Sequence, residues 1–328
     1  MQADHSALVL AVGELLWDMM PSGARLGGTT ANFAVLTAQL GEYAALISCV
    51  GDDPLGREAT GRLAALASGA AVKAHLDLSG IQVSPSLPTG TVSVTVNEEG
   101  RPQYRIDRPV AWDAISLTQQ LLERAGQAAV ICFGTLAQRA QLSRNSIRAL
   151  VEAAGPRCVR VCDLNIRAPF CTTEVLEWCM SHADVLKVSD EELPEVARLL
   201  GKPGIAAGFP CDSSDSALTE VATQAAVALL DSSPQCKLVS ITLGPHGSLL
   251  ASREAVYRHM GRVVEVRDTV GAGDAFTAGT VHAYIRAASL AQISEVSNLC
   301  GSYVASQVGA TPELPASLIV EIRSILGA

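Results

Sequence analysis

An aspartate at the end of a glycine-rich turn is the feature of this sequence best suited to chemistry. Residues 268–276 read DTVGAGDAF and run into a small-residue stretch, residues 275–288, that predicts a helix. Glycine and alanine at a helix start let backbone N–H groups converge on an anion, where the helix dipole also favours negative charge. A phosphate bound there would repel Asp274 unless that carboxylate served the reaction. An ordinary aspartate helix cap explains the same residues equally well.

The stretches that must position this turn alternate between strand-like and helix-like patterns. Apolar runs without clean alternation predict strands buried on both faces, at residues 7–12, 46–50, 128–133, 157–162, 184–188 and 237–243. Helix-length stretches lie between them, at residues 30–40, 55–67, 117–125, 143–153, 191–200 and 219–230. This alternation predicts an α/β fold, a three-layer α/β/α sandwich with a mostly parallel central sheet. Residues 263–266 predict one more strand, directly before the glycine-rich turn.

Two regions break the alternation and predict a small β lid. Residues 90–97 alternate with period two, and residues 101–110 follow as the second strand of a hairpin exposed on one face. Residues 14–28 look non-helical because a proline and several glycines interrupt them. Since no linker or repeat divides the chain, we expect a single domain over residues 1–328. Its lid is expected at about residues 13–28 and 90–110.

Composition narrows the classes of partner and compartment. The chain has 328 residues, 48% of them hydrophobic, and a net charge of −9 without a basic patch, so we expect no nucleic-acid partner. Nine cysteines at irregular spacings are typical of reduced core thiols in a cytoplasmic protein. The first residues lack a basic segment followed by a long apolar run, so the sequence predicts neither a signal peptide nor a membrane span.

Several motifs in a fixed order resemble the PfkB/ribokinase family of carbohydrate kinases. They are GGTTAN at 27–32 with LG at 40–41, VGDDPLG at 50–56, DLNIR at 163–167, TLGPHG at 242–247 and the DTVGAGDAF segment. The resemblance covers roughly residues 8–325. Within the family, GTLAQR at 134–139, AWD at 111–113 and DLNIR look most like the fructokinase branch.

The resemblance implies a ribokinase-like fold and the phosphorylation of a sugar hydroxyl by ATP. Asp274 would be the general base, and the amides of Gly271, Ala272 and Gly273 would form the anion hole for the transferring phosphate. Phosphoryl transfer needs mostly positioning and charge neutralisation, so a carboxylate, aligned amides and Mg²⁺ suffice.

The same resemblance implies which residues bind the sugar beside Asp274: Asp18, Gly27, Gly28, Asn32, Arg105, Asn165 and Arg167. Short polar side chains suit paired sugar hydroxyls, and glycines allow close approach of the backbone. If the family resemblance is set aside, the sequence predicts a turn residue at Asp18 and a helix cap at Asn32. The two arginines would then be solvated side chains.

On the nucleotide side, the resemblance implies an ATP site formed by Lys187, Ser189, Thr242, Gly244, Gly247, Gly271, Gly273, Asn298 and Ser302. Glu192 would handle Mg²⁺ indirectly. Ser189 stands where the family usually has asparagine, which leaves the water network around the metal open. Asp268, with the carbonyls of Val270 and Gly309, resembles a monovalent-cation site, so K⁺ is expected. A simple turn-forming role for Asp268 is the alternative.

Three functions stay open at this point. A fructokinase is favoured, and a kinase for an acidic sugar such as 2-keto-3-deoxygluconate would use Arg105 and Arg167 to pair the carboxylate. A non-catalytic sugar-binding regulator on the same scaffold is the third, but a pure binder has no need for a base beside an anion hole. Because exposed lid strands often pair with a second subunit, a homodimer through the lid is also open.

Overall fold

The computed structural model describes residues 7–20, 23–69, 75–96, 102–206 and 215–327. Its strands are β1 (Leu8–Val12), β2 (Leu16–Met20), β3 (Gly23–Gly27), β4 (Tyr43–Gly51), β5 (Leu76–Ser84), β6 (Gly90–Val96), β7 (Pro102–Ile106), β8 (Val130–Gly134), β9 (Val159–Asp163), β10 (Val185–Ser189), β11 (Leu238–Thr242), β12 (Ser248–Ala251) and β13 (Val256–His259). The helices are α1 (Thr29–Gln39), α2 (Pro54–Ser68), α3 (Gln119–Gln127), α4 (Gln141–Ala153), α5 (Thr173–His182), α6 (Leu193–Leu200), α7 (Asp215–Ser232), α8 (Ala272–Tyr284), α9 (Leu290–Ala305) and α10 (Ala316–Leu326).

The main sheet is mostly parallel, as the sequence predicts. Its strand order is β13-β12-β11-β10-β9-β8-β1-β4-β5, and the strands from β11 to β5 pair in parallel. At one edge, among the described strands, β12 pairs antiparallel with both β11 and β13. The residues of β1 alternate between two buried apolar clusters: Leu10 and Val12 face the side of α3–α7, while Val9 and Ala11 face α1, α8 and α9. The predicted three-layer α/β/α sandwich is therefore confirmed.

A second, smaller sheet lies where the lid was predicted. Its order is β3-β2-β6-β7, with β2 antiparallel to β3, β6 antiparallel to β7, and β2 parallel to β6. In β2 and β3, Asp18 lies opposite Arg25. The predicted turn between β6 and β7 lies outside the described residues.

The strand predicted at residues 263–266 is wrong. Those residues form no strand, and Val263 and Val266 are exposed. Among the described strands, β13 ends the main sheet and pairs with β12, and residues 263–266 add no further strand beside it. The following helix also differs from its prediction: α8 begins at Ala272 and ends at Tyr284, several residues earlier at both ends. Among the described residues, none of the helices is long and apolar enough to cross a membrane.

The fold places the chemistry at the carboxyl ends of the parallel strands. Asp163 ends β9 and lies opposite Lys187 of β10, while Ser189 ends β10 and lies opposite Thr242 of β11. Ligand sites of open α/β sheets form at this edge, where loops and helix N-termini meet. Helix α8 brings Asp274 to the same edge.

Candidate active site

The start of α8 is shaped by a glycine that no other residue could replace without strain. Gly271 is the N-cap residue with φ of 81°, in the left-handed region. A Cβ atom added to Gly271 would lie 2.4 Å from the carbonyl oxygen of Ala310. Asp274 lies in the first turn instead of at the cap, so an ordinary aspartate cap does not explain it. The first turn of α8 thus presents backbone N–H groups and a carboxylate together.

Asp274 is held by an amide from α1 and surrounded by further charges. The Nδ2 atom of Asn32 donates to its Oδ2 atom over 2.7 Å. Behind it, the Nζ atom of Lys187 donates to Oδ1 of Asp163 over 3.0 Å, and the hydroxyl of Thr277 donates to Oδ2 of Asp163 over 2.9 Å. These contacts join four elements, α1, β9, β10 and α8, so the fold assembles the cluster.

Lys187 lies directly against the anion-binding turn. A Cβ atom added to Gly273 would stand 3.2 Å from the Lys187 ammonium. Burial alone would lower the pKa of Lys187, but the carboxylates of Asp163 and Glu192 raise it overall, so the side chain stays charged. A buried ammonium beside a row of backbone amides is suited to an anion with several charged oxygens.

The carboxyl group of Asp274 has a pKa raised to about 7. Burial is the largest cause and the negative charge of Asp163 the second, while the Asn32 hydrogen bond and the Lys187 charge work against them. A general base is most effective when its pKa lies near the working pH. With such a pKa, Asp274 could accept a proton near neutral pH.

The residues predicted to bind sugar cluster on the side of the small sheet. A Cβ atom at Gly27 would lie 2.5 Å from Oδ2 of Asp18, and one at Gly28, whose φ is 109°, would lie 2.4 Å from the Glu14 carbonyl oxygen. Asn165 has a positive φ of 36° and donates through Nδ2 to the Thr29 hydroxyl at the start of α1. Both glycines are thus required by close approach, which leaves the carboxylate of Asp18 beside bare backbone.

The two arginines predicted to reach the sugar differ in their surroundings. Arg167 is exposed and donates to the Ile166 carbonyl over 3.1 Å. Burial raises the pKa values of Asp18 and Glu14, and the charge of Arg167 partly offsets both rises. Arg105 on β7 is 83% exposed and pairs with Asp107 over 3.3 Å. The structure therefore brings Arg167 to the cluster and leaves Arg105 on the outer surface of the small sheet.

Sequence reasoning did not single out Glu14, which the structure buries beside the sugar side. It lies two residues after the end of β1 and is almost fully buried, and its Oε2 atom has no hydrogen-bond partner among the residues that the structure describes. Burial raises the pKa of this carboxyl. A charged residue between two apolar stretches was the available signal, because such a residue is rarely placed in a core without a reason.

On the nucleotide side, the predicted residues line the end of β11 and the late helices. Gly244 follows Thr242 and has a φ of 54°, with open space where a Cβ would stand. Gly247 is required structurally, since a Cβ there would lie 2.2 Å from the Gly261 nitrogen. Ser302 lies half-buried on α9.

Asn298, also predicted at the nucleotide, is buried within the protein. Its Nδ2 atom donates to the Ser248 hydroxyl over 2.7 Å and to the Ser294 carbonyl over 2.8 Å. Its amide group therefore holds β12 against α9, which is a structural role that the sequence did not reveal.

The residues near the predicted Mg²⁺ position are engaged mainly with the backbone. Glu192 accepts from the Ser189 amide over 2.7 Å, from the Ser189 hydroxyl over 2.9 Å and from the Ile166 amide. Among the described residues, no cluster of three or more His, Cys, Asp or Glu side chains could hold a metal. This suits Mg²⁺, which usually arrives with the nucleotide phosphates, keeps several waters and needs few protein ligands.

The predicted monovalent-cation position does not present a free carboxylate. Oδ2 of Asp268 accepts from Nη1 of Arg25 over 2.5 Å and from the Gly309 amide over 3.2 Å, and Oδ1 accepts from the Val270 amide over 3.1 Å. In this arrangement, a K⁺ ion bound to the Asp268 carboxylate would lie next to the positively charged Arg25 guanidinium. These residues therefore do not fit the expected cation.

Comparison with known proteins agrees with this geometry. The family described as pfkB family carbohydrate kinase matches residues 22–317. The chain belongs to that family. This family match makes it a sugar kinase.

Named relatives and solved structures extend the comparison. The chain is 29% identical to a fructokinase of Klebsiella pneumoniae over 94% of this chain and 96% of that protein. It is 27% identical to fructokinase-1 of Oryza sativa subsp. japonica, over 97% and 98%. The fructokinase of Vibrio cholerae O395, solved with fructose, ADP and calcium, has the same fold, with a TM-score of 0.73, 24% identity and coverage of 97% and 99%. A double mutant of it was solved with fructose, ADP and potassium.

Proposed function

We propose that this sugar kinase transfers the γ-phosphoryl group of ATP to a hydroxyl of fructose, with Asp274 as the general base. The observation that best supports this proposal is the environment of the Asp274 carboxyl. It lies in the first turn of α8, is oriented by Asn32 and has a pKa of about 7. A hydroxyl nucleophile loses its proton as it attacks phosphorus, and a base poised near neutrality accepts that proton.

The remaining residues of the site hold the two reactants. The amides of Gly271, Ala272 and Gly273 and the Lys187 ammonium lie where a γ-phosphate would meet the helix start, and they would stabilise charge on its equatorial oxygens. When bound with ATP, Mg²⁺ supplies further neutralisation of the phosphate oxygens. Glu192, as the resemblance implies, is the carboxylate proposed to hold its water ligands. Thr242, Gly244 and Ser302 are proposed to border the nucleotide.

Sugar recognition is proposed for the side of the small sheet. Asp18 and Asn32 offer a carboxylate and an amide, which suit paired hydroxyls, and Gly27 and Gly28 expose backbone next to them. A hydrogen bond from the Asn165 side-chain amide to the Thr29 hydroxyl holds Asn165 at the first residue of α1. Named fructokinases among the relatives support fructose as the acceptor.

A sugar acid is the second candidate, because Arg167 carries a specific observation in its favour. Its guanidinium is exposed at the cluster, and the contact seen for it is with a backbone carbonyl. A carboxylate substrate could pair with it. Against this candidate, the nearby carboxylates of Asp18 and Glu14 would repel an acid, and an uncompensated charge in a closed site is costly.

The test compares kcat/KM for fructose, ribose and 2-keto-3-deoxygluconate by ADP release. We expect fructose to lead by about tenfold or more, which is about 1.4 kcal/mol of differential transition-state binding. Arg167→Ala and Arg105→Ala are measured beside the wild type. If the acid leads by tenfold and loses that lead in Arg167→Ala, the sugar-acid candidate replaces fructose.

A further inference from the structure

An ion pair joins the small sheet to the turn that precedes α8. Arg25 lies on β3, and its Nη1 atom donates to Oδ2 of Asp268 over 2.5 Å. The two residues are 243 positions apart in sequence. Asp268 is only 13% exposed at its side chain, whereas Arg25 is 38% exposed. The contact therefore brings a fixed positive charge from the sugar side to the start of the anion-binding turn.

Asp268 organises that turn through both of its oxygens. The Val270 amide donates to Oδ1 over 3.1 Å, and the Gly309 amide donates to Oδ2 over 3.2 Å. These bonds fix the backbone just before Gly271, whose position decides where the amides of α8 point. A poorly solvated carboxylate in this place needs a compensating positive charge, because its own charge would otherwise oppose an incoming phosphate.

We propose that the Arg25 guanidinium is the resident cation of the anion-binding turn, in the place where the sequence predicts K⁺, and that this kinase therefore works without a monovalent metal ion. The proposal rests on the proposed kinase function. A second cation at Asp268 would lie against the guanidinium, and like charges at such a distance repel. A tethered side chain also needs no dissolved ion to complete the turn.

The position of Arg25 gives this cation a second contact that a free ion would lack. Arg25 lies opposite Asp18 in the pairing of β2 with β3; burial raises the pKa of Asp18 overall, and the charges of Arg167 and then Arg25 oppose that rise. Arg25 and Asp18 also line one cavity of about 680 Å³ with Gly309 and Val270. The same guanidinium thus stands between a proposed sugar-binding carboxylate and the phosphate-binding turn. Arg25 is a positioning residue: it acts through Asp268 and does not touch the reacting atoms.

The experiment compares the wild type, Arg25→Gln and Arg25→Lys in choline, sodium and potassium chloride at one ionic strength. Initial rates and thermal melting are both measured. We expect wild-type kcat to vary by less than about twofold among the salts. Arg25→Gln should lose about tenfold or more in choline and recover most of it in K⁺. Arg25→Lys should keep a positive charge and remain indifferent to K⁺. Arg57→Gln is the matched control, because Arg57 forms an exposed pair with Asp52 on the surface.

Thermal melting separates this proposal from the proposed function. A melting temperature that rises in K⁺ for Arg25→Gln but not for the wild type supports the resident cation, even if no sugar is phosphorylated. Absence of any K⁺ response in Arg25→Gln, in rate or in melting, overturns it. So does a wild type whose kcat rises more than about fivefold from choline to K⁺. Failure of every sugar with an unchanged melting pattern would overturn the kinase assignment alone.

Discussion

Helix α8 carries a cluster of charged groups near each end, and the two clusters are built on opposite plans. Near its C-terminus, Glu42 accepts from Nδ1 of His282 over 2.8 Å and from Nη1 of Arg286, and it accepts from the Ala7 amide over 3.2 Å. Burial alone would raise the pKa of Glu42, but the His282 hydrogen bond and the Arg286 charge lower it overall. Both carboxylate oxygens of Glu42 therefore accept hydrogen bonds, and its side chain is only 1% exposed.

At the N-terminus of α8, by contrast, the buried carboxylates are not fully matched by hydrogen-bond donors and positive charges. Asp274 has one amide partner, a neighbouring carboxylate in Asp163 and a pKa raised to about 7. Lys187 is shared between the charges instead of being assigned to Asp274. The comparison teaches that burial does not by itself mark a functional group. A better indication of function is a buried titratable group with few hydrogen-bonding partners at the ligand-binding edge of the sheet. Proteins tolerate the energetic cost of such a group where the group serves chemistry.

The largest expected effect comes from removing the base. Asp274→Asn should lower kcat by about two orders of magnitude or more, which is the usual contribution of general-base catalysis. KM values for sugar and ATP should change little, since the amide keeps the shape of the carboxyl group. Steady-state kinetics on the purified variant measure both parameters.

Thermal melting of Asp274→Asn sharpens the same comparison. A carboxyl whose pKa is raised in the folded state stabilises the fold most below its unfolded pKa of 3.8 and loses that contribution as pH rises through about 7. Asp274→Asn should therefore melt above the wild type at pH 8, and the gap should close in acid. Near-wild-type turnover in this variant would remove Asp274 from the proposed mechanism.

Glu42→Gln is the matched acid-to-amide change at the other end of α8. It should destabilise the protein by about 2 kcal/mol, below the range for fully buried pairs because the Arg286 side chain is 36% exposed. Its kcat per folded molecule should equal that of the wild type. Denaturant unfolding and active-site-normalised rates test the two statements. A large loss of kcat with unchanged stability would contradict the contrast between the two clusters.

The alternating layers of the fold could be predicted from the sequence, because strands buried on both faces give unbroken apolar runs. The same rule failed at residues 263–266, where an apolar run has no strand to pair with and stays exposed. Apolar character reports burial preference, whereas strand formation also depends on packing against neighbouring strands, which this run does not do here.

The candidate site was predictable where local motifs carried its residues. Asp274 and Gly271 lie in a local segment whose glycines and acid reveal their use. The pairing of Arg25 with Asp268 and the bond from Asn298 to Ser248 depend on contacts between distant elements. Local composition holds no signal for such contacts, and the orphan oxygen of Glu14 likewise appears only once its neighbours are placed.

The smallest expected effect concerns the pH at which the base becomes active. In the wild type, kcat/KM should rise with pH and reach half its plateau near pH 7, because the ionised form of Asp274 accepts the proton. Asp163 is the second-largest cause of the raised pKa. Asp163→Asn removes that negative charge while keeping acceptor and donor groups near Lys187 and Thr277. The acid limb, which is the rising part of the plot of kcat/KM against pH, should therefore move to lower pH by about one unit.

The limb position, unlike the plateau height, is insensitive to how much Asp163→Asn disturbs substrate positioning, so it isolates the electrostatic effect. Glu42→Gln serves as the control, because its charge lies near the opposite end of α8 and should leave the limb near pH 7. A limb that stays in place or moves to higher pH in Asp163→Asn would mean that Asp274 is not the group titrating in the free enzyme. In that case Glu14 and Asp18, two carboxyls on the sugar side whose pKa values burial also raises, become the groups to replace next, and either Glu14→Gln or Asp18→Asn should abolish the limb.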